Sequence, residues 1–161
     1  HHRSSAASDV YKRQAYFCDL TIASENSIFG QNGPRVGSPA GGAIVAHSAN
    51  ILGHKRAREM WMTCKRYSAK EMLNWGLINS VVNRKKLDDE VKKYGDEILK
   101  AAPTCLKILK ASFRKQFDEI LKITQKSMVD EVSPNYFKTG EQAEGAKAFL
   151  EKRKPNFKKF R

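Results

Sequence analysis

Residues 18–38 read CDLTIASENSIFGQNGPRVGS, which joins a run of β-forming residues to a loop rich in glycine and proline. Residues 16–23 have the composition of a buried strand, and residues 27–29 that of a short second one. Residues 30–42 hold five glycines and two prolines, which is typical of a shaped loop in which backbone geometry matters more than side chains. This stretch therefore predicts a strand that leads into a glycine-shaped turn.

Two helices are predicted directly after the loop, over residues 43–52 and 54–66, with Gly53 as the joint. The apolar face of the second helix comprises Ala57, Met60, Trp61 and Cys64. An apolar stripe of this kind indicates that the helix packs against a core.

A short capped helix and a strand are predicted next. Ser68 and Glu71 have the spacing of a capping box, and Gly76 stands where the helix should end. Residues 77–82 are again rich in β-forming side chains. We expect this run to return the chain to a sheet.

The C-terminal half is predicted to be mainly helical. Residues 87–101 have helical apolar spacing, and Pro103 suits the first turn of a long amphipathic helix. The apolar face of that helix comprises Cys105, Leu106, Leu109, Phe113, Phe117, Ile120 and Leu121. Thr139 and Gln142 predict a capping box for a last helix that ends near Glu151. Strands, a glycine-rich turn and these helices together favour an α/β or α+β fold.

The composition suits one globular domain. The chain has 161 residues, of which 40% are hydrophobic, with 30 Lys and Arg against 17 Asp and Glu. Its apolar runs are far shorter than the roughly 18 residues that a membrane span needs, which excludes a transmembrane protein. Cys18, Cys64 and Cys105 lack the spacing of a zinc site or a disulfide framework, so no metal is expected. Each is predicted to be a small buried side chain in a reducing, cytoplasmic setting.

The formal charge of +13 raises the question of a nucleic-acid partner. The excess is concentrated at the end of the chain, where residues 147–161 contain seven Lys or Arg and one Glu. No zinc-finger spacing, aromatic RNP pattern or GxxG loop accompanies them, so a nucleic-acid role is disfavoured. Two interpretations stay open, a solvated basic tail and a patch that holds the phosphates of a small anionic ligand.

The first fourteen residues, HHRSSAASDVYKRQ, differ from the rest of the chain. They are polar, have neither helical nor strand periodicity, and lack the apolar segment of a signal peptide. They resemble a translated adapter sequence, so we interpret residues 1–14 as a non-native leader. We expect the protein proper to start near Ala15, as the C-terminal part of a longer protein.

Four blocks of the sequence resemble the crotonase, or enoyl-CoA hydratase/isomerase, superfamily. They are residues 18–38, GHKRAREMW at 53–61, YSAKEMLNWGLINSVV at 67–82 and EGAKAFLEKRKPNFKKF at 144–160. Their order and separations match, which makes the resemblance specific although each block alone is weak. Within the superfamily the pattern is most similar to the 1,4-dihydroxy-2-naphthoyl-CoA synthases of menaquinone synthesis. CKRYSAKE at 64–71 is also similar to the ketocyclohexanecarboxyl-CoA hydrolases.

The resemblance implies an α/β fold, the C-terminal part of a crotonase-like ββα spiral. Residues 15–82 would belong to its core, and residues 83–161 to a helical region through which the family assembles into trimers or hexamers. It also implies an acyl-CoA thioester as substrate and a thioester enolate that two backbone N–H groups stabilise. In the family those donors precede the CDLTIA strand, and losing one such donor typically costs about 3 kcal/mol. We therefore expect the chain on its own to be inactive.

The resemblance further assigns roles to the glycine-rich loop. Gly33 stands where the hydratases have a glutamate that acts as general acid and base, and glycine has no group to do this. In one class of the naphthoyl-CoA synthases this position is glycine, and a bicarbonate ion contacted by a glutamine and a tryptophan acts as base. Gln31 and Trp61 occupy those positions, and amide and indole N–H groups suit such an anion. A loop-fixing Gln31 and a core Trp61 remain the alternatives.

Other positions are carried over from the same family. Ser38 matches a serine that hydrogen-bonds the substrate, although serine before proline is also common in turns. Phe149 and Lys152 match an aromatic and a basic residue of the C-terminal segment that covers CoA. Ala40 and Phe137 stand where the synthases have an aspartate and a tyrosine, so the ring-closing chemistry lacks two of its side chains.

Three functions therefore stay open. The first is ring closure of succinylbenzoyl-CoA, as in the naphthoyl-CoA synthases, which is a carbon–carbon lyase or synthase reaction. The second is another reaction on the same scaffold, which is hydration, isomerisation or ring-opening hydrolysis of an acyl-CoA. The third is a basic binding module without enzymatic activity. The uncovered apolar faces of the long helices predict a homo-oligomer.

Overall fold

The computed structural model describes residues 16–124 and 127–160, so the predicted leader, residues 1–14, lies outside the described residues. The strands are β1 (Ile22–Ser24), β2 (Ile28–Phe29), β3 (Tyr67–Ser68) and β4 (Ser80–Val82). The helices are α1 (Gly42–Leu52), α2 (His54–Thr63), α3 (Ala69–Asn74), α4 (Leu87–Leu99), α5 (Pro103–Ile123), α6 (Met128–Val132), α7 (Tyr136–Thr139) and α8 (Glu141–Leu150). Within the described residues the chain divides into two compact units: unit 1 comprises residues 16–29 and 66–119, and unit 2 comprises residues 30–65 and 120–160.

Unit 1 contains both strand pairs. β1 and β4 are parallel, with Ile22 opposite Ser80. β2 and β3 are antiparallel, with Phe29 opposite Tyr67. The predicted return of residues 77–82 to a sheet is confirmed, although only the second half of that run is strand.

The predicted strand over residues 16–23 is wrong in extent, since β1 comprises only Ile22–Ser24. Tyr16 and Phe17 are helical instead. The ring of Phe17 packs edge-on against Phe117 of α5, at a centroid distance of 5.4 Å. An aromatic contact with a helix therefore takes precedence here over local β propensity.

The predicted capping box opens α3. Ser68 Oγ accepts a hydrogen bond from the Glu71 N–H at 3.3 Å, and the Glu71 carboxylate accepts one from the Ser68 N–H at 2.7 Å. Hydrogen bonds from the backbone N–H of Ser68 and then from its hydroxyl lower the pKa of the Glu71 carboxyl, because they stabilise its ionised form. The predicted end is confirmed as well, since Gly76 follows the helix with a φ of 80°.

α4 and α5 are the long amphipathic helices that the sequence predicts. α4 ends at Leu99, close to its predicted end, and Pro103 begins α5. The apolar face of α5 is largely uncovered within one chain, since Ile108, Leu109 and Phe113 are 61%, 54% and 71% exposed. In the single chain such apolar faces are exposed to water. The prediction of a homo-oligomer rests on them, because association would bury them.

Unit 2 begins with the helical pair α1 and α2. Gly53 joins them with a φ of 77°, a value that favours glycine, as predicted. The inner face of α2 is buried at Ala57 and Met60. α2 ends at Thr63, earlier than predicted, because Cys64 takes a φ of 51° and its N–H bonds to the Met60 carbonyl.

The three cysteines are free thiols. Cys64 is buried, as was expected of all three, but Cys18 and Cys105 are exposed. The expectation is wrong for these two because Cys18 lies in an irregular segment and Cys105 in the exposed first turn of α5.

The predicted capping box of the last helix is wrong. Gly140, with a φ of 88°, is the N-cap of α8, and it has no side chain with which to form the box. Thr139 is the last residue of α7, where its hydroxyl donates to the Tyr136 carbonyl and accepts from the Glu141 N–H. The spacing of Thr139 and Gln142 is that of a capping box, but the helix begins one residue too late to use it.

Two features, a membrane-spanning helix and a metal-binding cluster, are absent from the described part of the chain. None of its helices combines the length and the apolar character that crossing a bilayer requires. Residues 16–124 and 127–160 also contain no group of His, Cys, Asp and Glu placed to hold a metal ion.

Candidate functional site

The glycine-rich loop folds back on itself between Gly33 and Ser38. Its centre is a 3-10 turn, Pro34–Val36, and the N–H groups of Val36 and Ser38 both donate to the Gly33 carbonyl oxygen, at 3.0 and 2.9 Å. Gly37 closes the turn with a φ of 63°, which glycine adopts far more readily than other residues. The loop is thus held by its own backbone, in agreement with its composition.

Gly33 is required by the shape of this turn. A Cβ atom at position 33 would lie 2.7 Å from the Ser38 carbonyl oxygen. Because close-packed atoms do not approach so closely, any side chain at this position would force the loop to open. The glutamate that the resemblance places at this position in the hydratases therefore has no room in this turn.

α7 and α8 both contact the glycine-rich loop. The Tyr136 hydroxyl donates to the Gly37 carbonyl oxygen at 2.5 Å. Gly145, in the middle of α8, lies so close to the loop that a Cβ atom there would collide with the Val36 carbonyl oxygen. Sequence reasoning missed this contact. The signal for it was a glycine inside the helical pattern EGAKAF, which often marks a close backbone approach.

An ion-pair network closes the C-terminal end of α8. The buried Glu144 carboxylate accepts from Arg153 Nη1 at 2.6 Å, from Arg153 Nη2 at 3.2 Å and from the Asn156 N–H at 2.8 Å. Arg153 Nε also donates to Glu151 at 2.6 Å, and the Lys159 ammonium lies 3.8 Å from Glu144. The hydrogen bonds from Arg153, followed by that from Asn156, lower the pKa of Glu144 to about 2. Hydrogen bonds to the Glu144 and Glu151 carboxylates in turn raise the pKa of Arg153, because they stabilise its charged form.

We expect the stability of the chain to fall in acid as Glu144 is protonated. Its pKa is about 2 in the folded chain and about 4.3 when unfolded, so its contribution is complete above about pH 5 and is lost as the pH falls toward 2. Urea denaturation of the parent chain and of Glu144→Gln, at several values between about pH 6 and pH 3, measures this. The two unfolding free energies should converge with falling pH, whereas a constant difference contradicts the prediction. Glu131→Gln, at an exposed position of α6, is the matched control and should follow the parent chain.

The indole N–H of Trp61 makes a hydrogen bond within the protein. It donates to Ser48 Oγ at 2.9 Å, and the Ser48 hydroxyl donates in turn to the Val45 carbonyl at 2.7 Å. Ser48 is fully buried, so this pair ties α2 to α1. The contact agrees with the core interpretation of Trp61, and an anion that uses the same N–H would have to displace Ser48.

Gln31 has the properties expected of an anion donor. Its side chain is 8% exposed, and its amide nitrogen has no hydrogen-bond partner among the described residues. A buried donor without a partner typically costs about 1–3 kcal/mol, which a ligand that accepts from it would recover. Of Gln31 and Trp61, only Gln31 therefore has a side-chain N–H that no described residue accepts.

A pocket of about 400 Å³ lies at the N-terminal end of α1. Residues 39–43, Met128 and Val129 of α6, and Phe137 of α7 form its apolar wall, to which Thr124 and Ser127 add hydroxyl groups. None of these side chains is ionisable. The pocket therefore brings together Ala40 and Phe137, at which the resemblance places an aspartate and a tyrosine in the naphthoyl-CoA synthases.

The two residues assigned to CoA lie together at the end of α8. Phe149 is 50% exposed, and Lys152 follows the helix with a φ of 54°. The Lys152 N–H donates to the Phe149 carbonyl, so both belong to one turn. Arg153, which the sequence suggested as part of the same basic patch, is bound by Glu144 and Glu151. Neither Phe149 nor Lys152 lines the pocket.

Parallel strand pairing, a glycine-rich loop held by its own backbone and a mainly helical C-terminal half define the class as an α/β fold. Residues 13–160 match the family model described as enoyl-CoA hydratase/isomerase, so the chain belongs to this family. The resemblance seen in the sequence is thereby confirmed for the superfamily. Its closer similarity to the naphthoyl-CoA synthases stays a prediction.

Solved structures of the same fold are similar over most of this chain. An enoyl-CoA hydratase/isomerase from Pseudoalteromonas atlantica T6c matches with a TM-score of 0.76 and 23% identity, over 92% of this chain and 59% of that one. An enoyl-CoA hydratase from Mycobacterium avium subsp. paratuberculosis K-10 matches with a TM-score of 0.73 and 29% identity, over 92% and 60%. A carnitinyl-CoA hydratase from Mycobacterium avium matches with a TM-score of 0.71 and 26% identity, over 90% of this chain and 56% of that one. The chain thus spans less than two thirds of the length of these proteins.

Proposed function

We propose that this protein processes acyl-CoA thioesters through a thioester enolate, and that its reaction is the ring closure of succinylbenzoyl-CoA, as in the naphthoyl-CoA synthases. The observation that carries the proposal is the pocket at the start of α1, whose described lining contains no ionisable side chain. Hydration of a double bond needs a positioned acid and base. A site whose described lining has no such group, next to a loop that has no room for a side chain at Gly33, suits a reaction whose base is a bound ion.

The residues of unit 2 have separate roles in this proposal. The apolar wall that includes Ala40 and Phe137 binds the ring of the acyl group and excludes water from it. Ser38, which directly precedes the wall, donates a hydrogen bond to the substrate. The Gln31 amide holds a bicarbonate ion, which supplies the base when it is bound. Phe149 and Lys152 contact the adenine and the phosphates of CoA.

A second candidate is another reaction on the same scaffold, which is hydration, isomerisation or ring-opening hydrolysis of an acyl-CoA. Two observations favour it over ring closure. Ala40 and Phe137 carry neither the carboxylate nor the phenol of the synthases, and the Trp61 N–H is bound to Ser48. The third candidate, a basic binding module, rests on the net charge of +13 alone.

Calorimetric titration of the chain with CoA, benzoyl-CoA and a single-stranded oligonucleotide tests the proposal. We expect benzoyl-CoA to bind at least about tenfold more tightly than CoA, because burial of its ring contributes roughly 1.5–3 kcal/mol. Equal affinities would overturn the acyl pocket. Oligonucleotide binding that weakens steeply with salt, without binding of CoA, would support the basic module instead. Product formation from succinylbenzoyl-CoA that rises with bicarbonate would favour ring closure over the second candidate, and it would also contradict the expectation that the chain on its own is inactive.

A further inference from the structure

Tyr136 contacts the glycine-rich loop, although the family resemblance gives it no role. Its hydroxyl donates to the Gly37 carbonyl oxygen at 2.5 Å, which joins α7 to the loop. The next residue, Phe137, lines the pocket. Two consecutive residues of one short helix thus hold the loop and shape the pocket.

The hydrogen bond acts on the peptide group between Gly37 and Ser38. The carbonyl of this group accepts from Tyr136, while its N–H donates to the Gly33 carbonyl at 2.9 Å. Because a peptide group is planar and rigid, fixing its oxygen also fixes the direction of its N–H. The hydrogen bond from Tyr136 to the Gly37 carbonyl therefore also stabilises the hydrogen bond from the Ser38 N–H to the Gly33 carbonyl, which closes the turn.

The phenol is suited to this role. Partial burial, with a smaller contribution from the Glu141 carboxylate, raises the pKa of Tyr136, so its hydroxyl remains a donor at physiological pH. The approach of Gly145 to the Val36 carbonyl brings α8 against the same turn. The loop is thus packed against one helix and hydrogen-bonded to the other.

We propose that Tyr136 is a positioning residue, whose hydroxyl locks the Gly37–Ser38 peptide and thereby places Ser38 and the edge of the pocket that begins at Pro39. The inference deepens the proposed function and rests on it where it concerns the acyl group. If the hydroxyl of Tyr136 has this role, the geometry of the site depends on a side chain that does not itself line the pocket. Binding of the acyl group should therefore respond to loss of the hydroxyl, whereas binding of the CoA portion should not.

Tyr136→Phe, compared with Tyr94→Phe, isolates the hydroxyl. The Tyr94 hydroxyl donates to the Asn79 carbonyl at 3.4 Å in unit 1, so its removal also deletes one tyrosine-to-carbonyl hydrogen bond, but far along the chain from the loop. Amide exchange at Ser38 and trypsin cleavage after the exposed Arg35 report on the loop. Both should become about fivefold faster in Tyr136→Phe and stay unchanged in Tyr94→Phe. Equal rates in the two variants would overturn the proposal, whatever the ligand.

Affinities then separate positioning from a purely structural role. In Tyr136→Phe the affinity for benzoyl-CoA should fall about fivefold, while that for CoA stays within about twofold. Faster exchange with both affinities unchanged would overturn the positioning role. If the parent chain shows no preference for benzoyl-CoA over CoA, the proposed function fails, and the exchange rates still decide whether Tyr136 locks the loop.

Discussion

Gly145→Ala is expected to destabilise the chain by about 2 kcal/mol, against the usual direction for a glycine in a helix. At a solvent-facing helical position alanine is better than glycine by about 0.5–1 kcal/mol. At Gly145, however, a Cβ atom would collide with the Val36 carbonyl oxygen and lie 2.9 Å from the Gly37 nitrogen. The backbone of a hydrogen-bonded turn cannot move aside as the end of a flexible side chain can, so overpacking outweighs the gain in helix propensity.

Gly95 provides the matched control. It also lies within a helix, α4, but no atom outside its own helical turns would come within 4 Å of a Cβ atom there. Gly95→Ala should therefore raise the free energy of unfolding by about 0.5–1 kcal/mol. Urea denaturation measures both variants. Equal stability of Gly145→Ala and Gly95→Ala would show that α8 does not press against the loop.

Sequence patterns predict an element reliably where one local hydrogen bond or one backbone conformation decides it. The capping box of Ser68 and Glu71 and the joint between two helices at Gly53 are both confirmed. Thr139 and Gln142 have the same spacing as the capping box and yet do not form one. The difference is that α7 still occupies Thr139, and Gly140 separates the two helices. Spacing within a helix start contains no information about where the preceding helix ends.

The site is less predictable because its contacts join distant parts of the chain. The Tyr136 hydroxyl and the Gly37 carbonyl are 99 residues apart in sequence. Ala40 and Phe137 look like two unrelated departures from the synthases when only the sequence is read. Both line one pocket, so the two positions at which the resemblance places an aspartate and a tyrosine in the synthases share one wall. The glycine pattern located the loop, but only the packing shows what surrounds it.

Gly33→Ala should destabilise the chain by roughly 1–3 kcal/mol and loosen the loop. The φ of −49° and ψ of −59° at Gly33 are open to any residue, so backbone strain is not the cause. The cause is the Ser38 carbonyl oxygen, 2.7 Å from an added Cβ atom, in a turn that the Ser38 N–H closes onto Gly33. Gly41 lies in the same loop with no atom within 4 Å of an added Cβ atom. Gly41→Ala, the matched control, should change the unfolding free energy by less than about 0.5 kcal/mol.

The same geometry predicts the effect of the residue that the hydratases have at this position. Gly33→Glu should be at least as destabilising as Gly33→Ala, because the loop must open to admit the Cβ atom of either side chain. Urea denaturation of the two variants measures this. Unchanged stability of Gly33→Glu would mean that the loop adapts to a side chain at this position.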